Sequence, residues 1–330
     1  MNNKILIIGP SWVGDMVMAQ VLFKLLKLLN NTVQIDVLAP EWSLPVLQRM
    51  PEVSQTICLP IKHGQLALRQ RYTIAKQLQT QKYTQAIILA NSWKSALIPW
   101  LARIPLRTGW LGECRWGLLN DVRYLNKQSL PKLVQRYAAL GIAANTALPT
   151  TLPVPKLVSA QNSAHQAKPV LALCPGAAYG PAKRWLPEYF VAVAKEKLAA
   201  GWQIWLFGSE QDSSVIEDIQ RQIPAVTTSF AGKINLLETI DLLSQVSAVV
   251  TNDSGLLHIA ASLDKPLVAI YGSTSPEYTP PLGIKAQILK QELACSPCFK
   301  RECRFGHLNC MRLIKPELVL ASLSILEAKE

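Results

Sequence analysis

The sequence predicts an α/β protein made of two doubly wound, Rossmann-like domains. Its 330 residues, 49% of them hydrophobic, are enough to bury two cores and too many for one ordinary α/β domain. Short apolar runs alternate with segments of helical periodicity, which is typical of a parallel sheet covered by helices. The alternation stops in the middle of the chain and then restarts, so we expect two such units.

The first half opens with a strand, a helix and a strand, and the alternation continues to about residue 102. The predicted elements are strands at 5–8, 33–38 and 86–90, with helices at 16–29, 67–79 and 95–102. The run at 5–8 is apolar throughout, as expected for a strand that is buried on both faces. We therefore assign residues 1–150 to an N-terminal domain.

Residues 143–169 are rich in Ala, Thr, Pro, Ser and Gln and show no sustained period. This composition predicts an interdomain linker, which we place at 151–168, and a C-terminal domain at 169–330. The elements predicted in the C-terminal domain are strands at 170–174, 203–207, 248–251 and 267–271, with helices at 187–200, 213–222, 236–246, 255–263 and 316–328. We expect the last helix to pack on either domain, including back on the N-terminal one. Two doubly wound units predict a ligand cleft between the carboxyl ends of their sheets.

The net charge of +12 is unevenly distributed along the chain. Residues 1–150 carry 17 Lys and Arg against 6 Asp and Glu, whereas residues 151–330 carry 17 against 16. No acid occurs between residues 53 and 112, where the cations are Lys62, Arg69, Arg71, Lys76, Lys82, Lys94, Arg103 and Arg107. Such a bias favours an anionic surface or substrate, although solvated helix faces that keep the protein soluble would give the same composition.

The sequence also favours an intracellular protein. We find no pattern of a cleaved signal peptide, and the apolar segment from Met16 to Leu29 is interrupted by Gln20, Lys24 and Lys27, so it is too polar to span a bilayer. The seven cysteines are an odd number, which suits a reducing compartment better than a disulfide framework. We expect a cytoplasmic location.

The first strand ends in Gly9-Pro10-Ser11-Trp12-Val13-Gly14-Asp15, and the next helix follows at once. Glycines at a turn between a strand and a helix allow close backbone approach, and the free N–H groups of a helix start suit an anion. The Asp15 carboxylate is placed to accept a proton from a substrate hydroxyl. An ordinary helix cap is the alternative interpretation of Asp15.

The second domain has a similar loop, Cys174-Pro175-Gly176-Ala177-Ala178-Tyr179-Gly180-Pro181-Ala182-Lys183-Arg184-Trp185. Lys183 and Arg184 would neutralise a diphosphate leaving group, because its departure builds negative charge on oxygen. They are otherwise two basic residues beside a packed tryptophan.

A third motif, Thr251-Asn252-Asp253-Ser254-Gly255-Leu256-Leu257-His258, joins a strand to a helix start. We expect Asp253 and Ser254 to cap the helix and its free N–H groups to face a pyrophosphate. His258 lies one turn later and is a ligand contact or a structural histidine.

The strand predicted at 203–207 leads into Phe207-Gly208-Ser209-Glu210-Gln211-Asp212. An acid at such a strand end holds ribose hydroxyls in nucleotide-binding folds. Of Glu210 and Asp212, we prefer Asp212.

Four cysteines, Cys295, Cys298, Cys303 and Cys310, lie within sixteen residues, and His307 lies among them. This density resembles a structural zinc knuckle, although the spacing is not one of the standard frames. Free thiols in a redox-labile loop are the alternative.

The sequence resembles glycosyltransferase family 9. The resemblance rests on the strings PSWVGDMVMAQ, NSWKSALIPW, RTGWLGE, GLLNDVR, CPGAAYGPAKRW, TNDSGLLHIAA and YGSTSPEYTPP, which occur in this order between residues 10 and 281. It implies a GT-B architecture with two Rossmann-like domains facing a central cleft. It also implies inverting transfer of L-glycero-D-manno-heptose from ADP-heptose to the first heptose of the lipopolysaccharide inner core. The implied acceptor molecule is Kdo2-lipid A that already bears this heptose.

The resemblance implies a role for individual residues as well. Asp15 matches the general base, Lys183 the residue on the nucleotide phosphates, and Asp253, Ser254, Gly255 and His258 the donor-binding turn. Together with Gly176, Arg184 and Asp212, these form the expected donor site. The acceptor would be held by the N-terminal domain, for which the matched strings indicate Ser11, Trp12, Gly14, Asn91, Lys94 and Arg107.

Several alternatives remain open from the sequence. A related enzyme adding the first heptose or a branch heptose would have a similar sequence. A basic nucleotide- or nucleic-acid-binding protein would explain the charge and the nine tryptophans, but no recognition motif with interleaved aromatics is present. We therefore expect no nucleic acid partner, no required cofactor, and peripheral association with the cytoplasmic face of the inner membrane of a Gram-negative cell, where phosphates and anionic lipids would meet the basic half.

Overall fold

A computed structural model of the chain describes residues 3–62, 64–160, 166–223, 227–283 and 285–328. It divides into two compact units, Met1–Pro155 and Lys156–Glu330. The division falls within the segment predicted to be a linker, part of which (residues 161–165) lies outside the described residues.

The first unit is a parallel sheet with helices between its strands. Its elements are β1 (Lys4–Ile8), α1 (Val13–Leu29), β2 (Gln34–Ala39), α2 (Leu44–Gln48), β3 (Gln55–Cys58), α3 (Leu68–Gln79), β4 (Gln85–Ile88), α4 (Trp93–Leu101), β5 (Leu106–Trp110), β6 (Asp121–Arg123) and α5 (Leu133–Ala139). The strand order is β3-β2-β1-β4-β5-β6, and every pairing is parallel. The sheet therefore reverses its winding direction between β1 and β4.

The second unit repeats this architecture. Its elements are β7 (Val170–Cys174), α6 (Pro187–Ala199), β8 (Gln203–Leu206), α7 (Ser213–Arg221), β9 (Thr227–Ser229), α8 (Leu236–Leu243), β10 (Ala248–Asn252), α9 (Gly255–Ser262), β11 (Leu267–Ile270), β12 (Ala286–Leu289), α10 (Asn309–Arg312) and α11 (Pro316–Glu327). The order β12-β11-β10-β7-β8-β9 is again fully parallel, with the reversal between β7 and β10. Two doubly wound parallel-sheet units confirm the predicted fold class.

Continuous apolar strands produce the two cores. All five residues of β7 and of β10 are buried, as expected for central strands covered by helices on both faces. Trp185, which follows the CPGAAYGPAKRW loop, is among the largest buried side chains, and its indole donates to the Ile314 carbonyl at 2.8 Å. This contact fixes the end of that loop in the core of the second unit.

The last helix, α11, packs within the second unit. Val319, Leu323 and Leu326 are buried in the same cluster as Phe190 of α6 and Ile270 of β11. Of the two packing positions expected from the sequence, the structure shows the one on the C-terminal unit. Within the residues that the structure describes, no helix combines the length and apolarity needed to cross a bilayer.

Candidate functional site

The predicted site residues come from loops at the carboxyl ends of the central strands. In a doubly wound sheet, ligands bind at the point where the strand order reverses, because the loops there separate and leave a crevice. In the first unit these loops follow β1 and β4 and carry residues 9–15 and 89–93. In the second unit they follow β7 and β10 and carry residues 175–185 and 253–255.

Asn252, the last residue of β10, joins the two loops of the second unit. Its fully buried amide donates to the Pro175 carbonyl at 2.7 Å and accepts from the Trp185 backbone N–H at 3.0 Å. Both ends of the β7 loop are thereby held against β10. We did not single out Asn252 from the sequence, although it lies inside a quoted motif, because a buried amide carries no periodic signal.

Lys183 and Asp253 form an ion pair at this position. The ammonium lies 2.7 Å from Oδ2 of Asp253 and 3.2 Å from the Asp253 carbonyl, and both side chains are largely buried. The Thr274 hydroxyl, from the loop after β11, donates to the same carboxylate oxygen. The lysine is thus held in a fixed position at the reversal point of the sheet.

His258 is a buried neutral side chain in this arrangement. Burial lowers its pKa to about 4, with Asp253 opposing and Lys183 assisting the shift. Its Nε2 is 4.0 Å from the Asp253 carboxylate, which is too long for a hydrogen bond, so the neutral imidazole is not an ion-pair partner.

Helix α9 begins at Gly255 without a side-chain cap, which corrects the expectation that Asp253 and Ser254 cap it. Asp253 is instead engaged with Lys183 and Thr274. The Ser254 hydroxyl is buried and has no hydrogen-bond partner among the described residues. This hydroxyl and the first N–H groups of α9 are consequently available to an anion.

Asp212 has a structural role that the sequence did not reveal. Its Oδ2 accepts from the Ser209 backbone N–H at 3.0 Å and from the Ser209 hydroxyl at 2.6 Å, and its Oδ1 lies 3.4 Å from the Arg184 guanidinium. A Cβ on Gly176 would lie 2.4 Å from this carboxyl group, so any larger residue there would displace the Asp212 side chain. Glu210, two residues earlier, is exposed, and within the described chain its carboxylate has no hydrogen-bond or ion-pair partner.

In the first unit, Asp15 lies in the first turn of α1 and is partly exposed. The Trp42 indole donates a hydrogen bond to the Ser11 carbonyl at 2.7 Å. The Trp12 side chain is 46% exposed. Gly14 is buried, so the helix start packs closely against the sheet. The β1 loop therefore presents a carboxylate and an exposed indole at one end of the sheet.

Arg115 organises the neighbouring strand ends, a role that was not predicted from the sequence. It is fully buried and donates to the Ala90 carbonyl at 2.8 Å, to the Trp110 carbonyl, and weakly to the Asn91 amide at 3.4 Å. Burial lowers its pKa, yet a guanidinium stays charged at neutral pH. It fixes the ends of β4 and β5 beside exposed Asn91.

The other two predicted acceptor residues are bound to backbone carbonyls. The Lys94 ammonium donates to the Gly64 carbonyl at 2.8 Å. Arg107 lies near the amino end of β5, and its guanidinium donates to the Leu118 and Ile104 carbonyls, each at 2.7 Å. Since the other predicted residues lie at the carboxyl end of the sheet, the structure does not bring Arg107 together with them.

The predicted zinc site is unsupported. Within the described residues, no three His, Cys, Asp or Glu side chains are arranged to hold a metal ion, and Cys295, Cys298, Cys303 and Cys310 are free. Burial, and to a lesser extent the neighbouring Cys298, Cys303 and Cys295, raise the pKa of Cys310. In contrast, backbone N–H groups, that of Leu308 above all, lower the pKa of Cys303.

Comparison with known proteins identifies the class. Two Rossmann-like units are the architecture of GT-B glycosyltransferases. The profile of glycosyltransferase family 9 (heptosyltransferase) matches residues 71–309. The chain therefore belongs to glycosyltransferase family 9.

Individual relatives align over nearly the whole chain. The chain is 41% identical to lipopolysaccharide heptosyltransferase 2 of Salmonella typhimurium, with 99% of each sequence covered. It is 43% identical to lipooligosaccharide heptosyltransferase 2 of Haemophilus influenzae, with 98% of this chain and 99% of the relative covered. The fold superimposes on the solved structure of E. coli ADP-heptose LPS heptosyltransferase II with a TM-score of 0.89, at 38% identity and 99% coverage of each chain.

Proposed function

We propose that this enzyme transfers L-glycero-D-manno-heptose from ADP-heptose to the first heptose of the lipopolysaccharide inner core, with inversion at the anomeric carbon. The observation that carries the proposal is the 41–43% identity, over almost the full chain, to relatives named heptosyltransferase 2. The site residues described above support it, because the two units offer complementary chemistry.

The second unit is proposed to bind the donor. Lys183, the Ser254 hydroxyl and the N-terminus of α9 would contact the diphosphate. Asp212 is occupied by the turn at Ser209 and by Arg184, so we assign the ribose hydroxyls to Glu210, whose carboxylate is exposed. This assignment replaces the preference for Asp212 that the sequence suggested.

Asp15 is proposed to be the general base. It would take the proton from an acceptor hydroxyl while that oxygen bonds to the anomeric carbon and the bond from this carbon to the diphosphate breaks. One displacement inverts the centre and releases ADP. Ser11, Trp12, Gly14 and Asn91, from the loops after β1 and β4, would hold the acceptor sugar.

We propose that the reaction needs no cofactor, because no electrons are transferred and cationic side chains can stabilise the leaving group. Activity that survives exhaustive treatment with EDTA would support this proposal. Activity that falls with EDTA and returns with Mg²⁺ would contradict it.

The acceptor test separates the proposed activity from its relatives. Purified enzyme is incubated with ADP-heptose and with lipopolysaccharide acceptors bearing no heptose or one heptose, and the products are weighed by mass spectrometry. The one-heptose acceptor should gain a single heptose. A gain in mass on the acceptor without heptose would identify the enzyme that adds the first heptose. A gain in mass only on longer cores would identify an enzyme that adds a branch heptose.

The same preparation tests the non-enzymatic alternative. Salt-dependent binding to random DNA at micromolar concentration, without binding to ADP, would favour a basic nucleic-acid-binding protein. We expect ADP binding and no competition by DNA.

We also propose that the first unit rests on the cytoplasmic face of the inner membrane. Helices α3 and α4 pack together and expose large apolar side chains, namely Leu68 (56%), Tyr72 (52%), Trp93 (38%) and Trp100 (46%). The cations Arg69, Lys76 and Arg103 are exposed on the same stretch of chain. Exposed aromatics combined with cations suit an anionic bilayer surface, where the lipid-linked acceptor is held.

A further inference from the structure

The cations assigned to the diphosphate are already paired with acids in the second unit. Lys183 pairs with Asp253 at 2.7 Å, and Arg184 lies 3.4 Å from Asp212. These four groups together carry no net charge. A sugar-nucleotide diphosphate is a dianion, and the departing nucleoside diphosphate carries more charge still, so the site needs another cation.

The cysteine-rich segment, residues 295–310, is hydrogen-bonded to the loop that carries Lys183. The Arg301 carbonyl accepts from the Ala182 backbone N–H at 3.0 Å, and the Phe299 carbonyl accepts from the Tyr179 hydroxyl at 2.8 Å. A Cβ on Gly180 would lie 2.5 Å from the Arg301 carbonyl oxygen. The glycine therefore allows the two backbones to come this close.

The same segment is also hydrogen-bonded to the loop after β11. The Phe299 backbone N–H donates to the Ser273 carbonyl at 2.6 Å, and the Ser296 hydroxyl donates to the Gly272 carbonyl at 2.7 Å. That loop also carries Thr274, which donates to Asp253. Residues 296–301 are thus fixed against both loops that hold the Lys183–Asp253 pair.

Arg301 and Lys183 contact the same aromatic ring. The Lys183 ammonium lies 5.1 Å from the centroid of the Tyr179 ring, and the Arg301 guanidinium carbon lies 5.5 Å from it. Within the residues that the structure describes, no carboxylate lies within ion-pair distance of Arg301. Its charge is therefore not paired with a carboxylate there, and its contact with the Tyr179 ring places the guanidinium next to the loop that carries Lys183.

We infer that Arg301 is a diphosphate-binding residue, delivered to the donor site by the cysteine-rich segment. Its planar guanidinium can donate two parallel hydrogen bonds to phosphate oxygens, which a lysine cannot do. The cysteine-rich segment positions the arginine, and this role does not depend on the chemical state of its cysteines. The inference rests on the proposed function, since it takes the donor to be a nucleoside diphosphate sugar.

Calorimetric binding of ADP to the full-length protein tests this inference. Arg301→Gln should weaken ADP binding about tenfold or more, the loss expected for a charge-assisted hydrogen bond. Binding of adenosine, which lacks phosphates, should not change. Arg301→Lys should recover only part of the affinity. The matched control is Arg304→Gln, which removes a cation of the same segment that lies over the Phe305 ring, 4.6 Å from its centroid, and should leave ADP binding unchanged.

The outcomes separate this inference from the proposed function. Unchanged ADP affinity in Arg301→Gln, or an equal loss for adenosine, would overturn the role of Arg301 while leaving the proposed reaction intact. The backbone bond between Ala182 and Arg301 survives the substitution, so a folded variant is expected, and its thermal unfolding checks this. A wild-type protein that fails to bind ADP would remove the proposed function and this inference together.

Discussion

The Lys183 ammonium and the Asp253 carboxylate are 2.7 Å apart, with side-chain exposures of only 13% and 4%. A buried ion pair of this kind is strongly destabilised when one partner is removed, because the other charge is left without compensation. The pair therefore links donor binding to the stability of the second unit. The two effects can be separated by substituting both members.

Lys183→Met should lower the free energy of unfolding by about 3 kcal/mol, since the Asp253 carboxylate loses its cation. ADP binding should also become undetectable or much weaker, because the diphosphate loses a direct contact. The double variant Lys183→Met with Asp253→Asn should regain most of the stability and none of the ADP affinity. Chemical denaturation and calorimetry measure the two quantities.

Lys195→Met is the matched control for this series, because Lys195 is exposed on α6. It should alter neither quantity. If the double variant recovered ADP binding, Lys183 would be a structural residue and not a phosphate ligand.

Asp15→Asn should reduce turnover about 100-fold or more, because the acceptor hydroxyl would lose its proton acceptor. ADP binding should be unaffected, since the residues proposed to bind the donor lie in the other unit. The comparison requires kcat, the KM for each substrate and the unfolding temperature of the variant. Glu41→Gln, which removes an exposed acid of the same unit, should leave turnover unchanged. Near-normal turnover in Asp15→Asn would contradict the assignment of the base.

Motif loops between buried strands and helices were the part of the site that the sequence revealed. Gly176, Lys183 and Asp253 all follow strands that begin as short apolar runs, so their place at the carboxyl end of a sheet could be predicted. The hydrogen-bond partners of Asp212 and Arg107 could not be predicted. A carboxylate that caps its own turn and a guanidinium that binds nearby carbonyls look, in sequence, the same as ligand-binding residues.

Central strands were also easier to predict than edge strands. The strands β1, β4, β7 and β10 contain short apolar runs and were expected, whereas the edge strands β3, β6, β9 and β12 and the interior strand β5 were not. β3 (Gln55–Cys58) and β12 (Ala286–Leu289) have no buried residue, so they lack the hydrophobic run that marks a strand. Their pairing with β2 and β11 depends on the sheet that is already formed.

His258 predicts a pH dependence of stability. Its pKa falls from 6.5 to about 4 on folding because the imidazole is buried, so the unfolded chain binds the proton more tightly. The contribution of the neutral imidazole to stability is complete above pH 6.5. It is lost as the pH falls toward 4, and the total loss is about 3 kcal/mol. Denaturation of wild type and His258→Asn between pH 4.5 and 7.5 measures it.

The difference between the two proteins is the informative quantity, since the acid response of the carboxylates cancels in it. Wild type should lose more stability than His258→Asn as the pH falls from 6.5 to 4.5. Parallel pH profiles would show that folding does not lower the pKa of His258, and that its ring is then not desolvated as described.

Membrane association should depend on the exposed tryptophans of α4 and on charge. Trp100→Ala should weaken binding to vesicles that contain anionic phospholipid, because an indole at the interface loses its contact with the bilayer. Raising the salt concentration should weaken wild-type binding as well, since each Lys or Arg near the surface contributes about 1 kcal/mol through a screened interaction. Sedimentation with vesicles made of zwitterionic lipid, or of zwitterionic and anionic lipid, measures both effects.

Ile325→Ala is the control for apolar exposure, because Ile325 is 49% exposed on α11 in the second unit. We expect it to bind vesicles as wild type does, and we expect Arg69→Gln combined with Arg103→Gln to reduce the salt dependence. Equal binding of wild type and Trp100→Ala at every salt concentration would place the membrane contact elsewhere on the chain. Equal binding to zwitterionic and anionic vesicles would show that the acid-free stretch between residues 53 and 112 does not bind the lipid surface through its charge.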